Sequence, residues 1–85
     1  MDELFKSTPT IARKIAEAKI PDRWPLLEGS VIAAYTTRME VKNGRLFVYI
    51  SSSVARNEVF MRRAVLKEEI NRLSGLEVIS TIIVK

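Results

Sequence analysis

Which reactions this chain could perform is limited first by what it lacks. It contains no Cys and no His, so the usual zinc ligand sets, Ser-His and Cys-His nucleophile pairs and the commonest general base are excluded. Only carboxylates could carry catalysis, and Glu68 and Glu69, adjacent on a helix, point in different directions and make a poor acid–base pair. Ser51-Ser52-Ser53 has no base to activate it and reads as a strand exit whose last member caps the next helix. Neither an enzyme nor a bound cofactor is expected. What remains is recognition. Arg38, Lys42 and Arg45 with Phe47 and Tyr49 interleave cations and rings, the combination that neutralises phosphates and stacks on bases of single-stranded nucleic acid. Arg56, Arg63 and Lys67 recur at helical spacing and could meet phosphates or an acidic protein surface.

Positioning these side chains requires elements that the apolar pattern supplies. Ser7-Thr8-Pro9 reads as a helix start, with Thr8 as cap and Pro9 at the first helical position. Ile11, Ile15 and Ala18 then share a face, and the helix should stop before Pro21. Asp22 caps a second helix running to about Thr36, in which Trp24, Leu27, Val31, Ala34 and Tyr35 form the stripe to be buried. Gly29, inside that stripe, implies close approach of a neighbouring element or a local break, and close approach is the preferred reading. From Thr37 the pattern alternates, and Asn43-Gly44 between apolar runs signals a two-residue hairpin turn.

That turn fixes the register: Lys42 opposite Arg45, Val41 opposite Leu46, Glu40 opposite Phe47, Met39 opposite Val48 and Arg38 opposite Tyr49. One face, with Met39, Val41, Leu46, Val48 and Ile50, is core; the other carries the cationic and aromatic set. That second face is either a stacking platform or a second small core beneath the amino-terminal helix. Ala55, Val59, Leu66, Ile70 and Leu73 repeat through one long helix to Gly75, a C-cap, and Val78 to Val84 closes as a strand. The long helix's cations belong either to a binding face or to a solvated exterior shared with Glu58, Arg62, Glu68, Glu69 and Arg72. Trp24 reads as core in preference to a partner-binding hot spot.

The result is an α+β, two-layer, KH-like arrangement of order α-α-β-β-α-β, a three-stranded mixed sheet with a long helix packed on it. Which hairpin strand pairs with the last strand is left open. Eighty-five residues with 47% apolar and 28% charged residues describe one ordinary globular domain spanning 1–85. The formal charge of +4 favours polyanionic partners. An acidic amino terminus, with no apolar run near ~18 residues, reads as a cytoplasmic chain without a membrane span.

Trp24 with Gly29, Tyr35-Thr36-Thr37, the hairpin into Leu46-Phe47-Val48-Tyr49-Ile50-Ser51-Ser52-Ser53, the helix through Asn71 and Gly75, and the isoleucine-valine ending together resemble the DciA family, especially its short Bacteroidetes-type members. The resemblance covers roughly residues 22 to 85. It implies a non-enzymatic KH-like domain of bacterial chromosome replication that associates with the replicative helicase DnaB, assists its loading and in some members contacts DNA. Longer members carry an extended tail, whereas this sequence ends at Lys85, directly after the last strand. The glycine-x-x-glycine loop with which KH domains clamp nucleic acid is missing, since Gly29, Gly44 and Gly75 are never three apart. The implied partner is therefore a DnaB-type helicase, with single-stranded or duplex DNA second and no small-molecule substrate.

Overall fold

A computed structural model describes residues 9–85. Its elements are α1 (Pro9–Tyr35), β1 (Thr36–Lys42), β2 (Arg45–Ile50), α2 (Ser53–Met61), α3 (Arg63–Ser74) and β3 (Thr81–Val84). The capping role read for Thr8 lies outside the described residues.

The hairpin forms with the register that its turn dictates, Lys42↔Arg45 through Arg38↔Tyr49, and a bulge follows between Thr36 and Arg38. Asn43 and Gly44 both take positive φ, 52° and 77°, as a type I′ turn requires. β3 pairs parallel with β2, giving the sheet order β1-β2-β3 and settling the partner of the last strand. This is the expected α+β, KH-like class.

Two helix boundaries move. Pro21 does not end the first helix; α1 continues through Pro21 and Pro25 and breaks at Gly29 (φ 88°, ψ 165°). Both prolines face solvent, where carbonyls left without an amide donor can bond water. The buried residues Ala16, Ile20 and Trp24, at i, i+4 and i+8, span Pro21, so their burial offsets the lost helical bonds. The stripe through Ile11, Ile15 and Ala18 is exposed instead. Gly29 has no atom within 4 Å of a would-be Cβ, which overturns the close-approach reading. Its role is the break itself, in a backbone region that essentially only glycine enters. The break shifts the helical phase, leaving Val31, Ala34 and Tyr35 exposed while Ile32 and Ala33 pack on the core.

The long helix is likewise interrupted, at Arg62 (φ −105°, ψ 14°). Ser52, not Ser53, caps α2, its Oγ accepting from the Ala55 amide at 3.3 Å. Gly75 ends α3 in the left-handed conformation, as its type suggests. Ala55, Val59, Leu66 and Ile70 are buried, but Leu73, near the end of α3, is exposed. β3 begins at Thr81, three residues later than β-propensity implies. Asn71 supplies the reason: its Oδ1 accepts from the Val78 and Ile79 amides at 2.8 and 3.1 Å, and its Nδ2 donates to Ile79 O at 2.9 Å. Val78 and Ile79 therefore bond a side chain in place of a ladder while their own side chains are buried. Ser80 then donates its amide to Gly44 O at 2.6 Å, locking this segment to the hairpin turn.

The core joins Ala16, Ile20 and Trp24 of α1 to Leu46, Val48 and Ile50 of β2, the inward residues of α2 and α3, and Ile82 of β3. All three helices pack on this one face. Among the described residues no helix covers the other face of the sheet.

Candidate recognition surfaces

Strand alternation places Arg38, Glu40 and Lys42 of β1, Arg45, Phe47 and Tyr49 of β2, and Thr81 and Ile83 of β3 on the uncovered face. The structure thus brings together every member of the cationic and aromatic set. Phe47, Tyr49 and Ile83 are half-buried by their neighbours, while Arg38, Lys42 and Arg45 are exposed. The Arg38 guanidinium lies over the Tyr49 ring, 5.6 Å from its centroid. Glu40, opposite Phe47, holds two of the cations: Arg38 Nη2 at 2.7 Å and Lys42 Nζ at 3.5 Å. Arg45 has no acidic partner among the described residues.

The helical cations separate. Arg56 is half-buried and donates through Nη2 to Ile50 O at 3.0 Å and through Nε to Lys85 O at 3.2 Å. It thereby ties the ends of β2 and β3 to α2, so its charge is engaged in the fold. Arg63 is exposed and stacks on Phe60, 3.7 Å from the ring centroid. Arg63 and Lys67, together with Ala64, Ser80, Thr81 and Ile82, border a groove of about 320 Å³ beside β3. Neither cation has a carboxylate partner among the described residues. Arg62 and Arg72, read as solvated, are paired with Glu28 and Glu69.

Trp24 is only 2% exposed, and its Nε1–H donates to Thr36 Oγ1 at 2.9 Å. It is core, as its helical spacing suggested. Its rim lines a cavity of about 440 Å³ with Pro21, Pro25, Ala33 and Thr36 to Met39, a mainly apolar lining in which Arg38 is the one charged residue.

One charged contact escaped the pattern reading. Glu28 continues the buried series Ala16, Ile20, Trp24 at i+4, and that position was the available signal. Its carboxyl is fully covered; Oε2 accepts from Arg62 Nη1, and Oε1 has no partner. The pair joins the Gly29 break to the Arg62 break. Burial pushes the Glu28 carboxyl above its ordinary value of 4.5; the Arg62 charge and hydrogen bond pull it partly back, and Glu58 adds to the rise. A group whose folded pKa is raised contributes stability that is fully present below its unfolded value and lost as pH rises through the folded value. Glu28→Gln should therefore be more stable than wild type at neutral pH, with the gap narrowing as pH falls toward 4.5 in parallel urea titrations. A gap independent of pH would show that the carboxyl is not strained by burial.

Geometrically this is a KH-like α+β domain with exposed cations on the sheet face and on α3, and with no cluster of metal-ligating side chains among the described residues. The chain belongs to the DciA family: the family model described as Dna[CI] antecedent, DciA, matches residues 1–84. Nothing among the curated proteins or the solved structures matches it. Membership supports a role in loading the replicative helicase in general, and the family is one of loading factors rather than of known enzymes. No helix among the described residues is long and apolar enough to cross a membrane.

Proposed function

We propose that this protein associates with a DnaB-type replicative helicase and assists its loading without catalysing a reaction of its own, with DNA contact as a secondary activity. The family match carries the reading. The groove bordered by Arg63 and Lys67 supports it locally, because two cations without carboxylate partners among the described residues, beside the hydroxyls of Ser80 and Thr81, suit an acidic protein surface. Arg56 does not line that groove; it holds α2 to the far ends of β2 and β3, at Ile50 and Lys85.

A second reading, a single-stranded nucleic-acid module, is favoured by the sheet face that bears Arg38, Lys42, Arg45, Phe47 and Tyr49 with no helix over it among the described residues. Salt distinguishes the two. Phosphate binding falls linearly in log salt with a slope set by the contacts made, whereas a protein interface with an apolar centre weakens much less. The purified chain should hold the organism's own replicative helicase as salt rises while its binding to single-stranded DNA fades. DNA binding with no helicase binding at any salt would reverse the order of the two readings.

A further inference from the structure

We infer that the open sheet face is a platform for two successive unpaired nucleotides, and that Glu40 holds its affinity down. The inference rests on the DNA contact named above and gives it a site. Phe47 and Tyr49 lie two residues apart on β2, so their rings are spaced by about 6.8 Å along the strand. That is about twice the 3.4 Å rise per nucleotide of a stacked strand. Consecutive bases can lie on both rings only if the step between them is opened, which a single strand permits and a duplex resists. Ile83, beside Phe47 in the next strand, extends the apolar floor. Base–aromatic stacking tolerates any sequence, because every base presents a π-face.

The cations around this floor are where phosphates flanking two stacked bases would lie. Arg38 and Lys42 stand on the β1 edge, with side chains 68% and 72% exposed, and Arg45 begins β2. Arg38 now lies over the Tyr49 ring. A base arriving there displaces it toward the backbone, exchanging a cation–π contact for a charge-assisted hydrogen bond to phosphate. Glu40 opposes this exchange. It is the only carboxylate that β1 and β2 place on the face, it sits opposite Phe47, and it pairs with both Arg38 and Lys42. A phosphate that binds Arg38 or Lys42 must compete with it, and only Arg45 of the three cations is left without an acidic partner among the described residues. The face is built to bind a strand weakly and release it.

The test uses the full chain with a fluorescein-labelled oligothymidylate, a labelled duplex, and the replicative helicase as a separate partner. Glu40→Gln should bind the oligothymidylate about tenfold more tightly, and its log-affinity against log-salt slope should steepen by about 0.7, one further phosphate contact on a single strand. Phe47→Leu combined with Tyr49→Leu keeps apolar cover and removes stacking, so it should weaken single-strand binding at least tenfold and duplex binding little. Thermal melts establish that both variants are folded, and helicase binding by both should equal wild type. Unchanged or weaker binding by Glu40→Gln would overturn the inference. So would full single-strand binding by the leucine pair, or equal wild-type affinity for duplex and single strand. Loss of helicase binding by the wild-type chain bears instead on the reading in the preceding subsection, so the two can fail separately.

Discussion

Truncating Trp24 to alanine should destabilise the domain by about 3–5 kcal/mol, the range for removing a fully buried large aromatic side chain. At roughly 0.05–0.15 kcal/mol per residue a chain of this length has only about 4–13 kcal/mol in total, so the variant should be partly or wholly unfolded at physiological temperature. The effect is large because the indole does two things at once. Its rings fill the space between α1 and the sheet, at 2% exposure. Its Nε1–H donates to Thr36 Oγ1, which in turn donates to Ile32 O at 2.8 Å. This relay crosses the Gly29 break and joins the helix before it to the first residue of β1. Trp24→Phe keeps most of the apolar volume and loses the donor, so it should cost about 1–2 kcal/mol. Trp24 is the only tryptophan, so urea titrations followed by far-ultraviolet circular dichroism are the appropriate measurement. A midpoint for Trp24→Ala within experimental error of wild type would show that α1 is not held to the sheet through this residue.

The same region shows what was legible in the sequence and what was not. The hairpin could be read residue by residue because a two-residue Asn-Gly turn leaves one register, and a strand's period of two then assigns every side chain to a face. Both halves of the cationic and aromatic set followed from that, and they do share one face. Helix boundaries were harder, because a proline's local penalty of about 3 kcal/mol competes with burial that only the folded chain reveals. In α1 burial wins at Pro21, and the chain breaks at Gly29, where the conformation needed is one that no side chain tolerates well. Once the phase shifts there, a stripe counted continuously from Trp24 to Tyr35 cannot all be inside. Asn71 shows the same limit for strands. Val78 and Ile79 have β-forming side chains, but their amides are claimed by one carboxamide from α3. The Glu28–Arg62 pair was illegible for another reason: its members are thirty-four residues apart, and it exists only because the two helix breaks meet. On the long helix, spacing grouped Arg56 with Arg63 and Lys67, but it could not show the break at Arg62 or that Arg56 is occupied by two carbonyls.

That distinction decides how the surface proposed to meet the helicase should be tested. Reversing Arg63 and Lys67 together, Arg63→Glu with Lys67→Glu, should weaken helicase binding at least a hundredfold, since like charges set against an acidic surface cost several kcal/mol and each 1.4 kcal/mol is tenfold. Both side chains lack carboxylate partners among the described residues, and Arg63 is exposed, so stability should fall only by the lost stacking of Arg63 on Phe60, about 0.5–1 kcal/mol. Arg56→Ala should behave in the opposite way. It deletes charge-assisted hydrogen bonds to Ile50 O and Lys85 O, and should lower stability by about 2 kcal/mol. Its binding should fall only in proportion to the fraction unfolded. Including Arg56 in a triple reversal would merge a folding defect with a binding defect and make loss of binding uninterpretable. Separating the residues gives each outcome a meaning. Retained binding by the Arg63 and Lys67 variant removes the groove beside β3 from the interface. Loss of binding by Arg56→Ala at an unchanged midpoint would instead make Arg56 a direct contact, with its hydrogen bonds to the strand ends contributing less than their geometry implies.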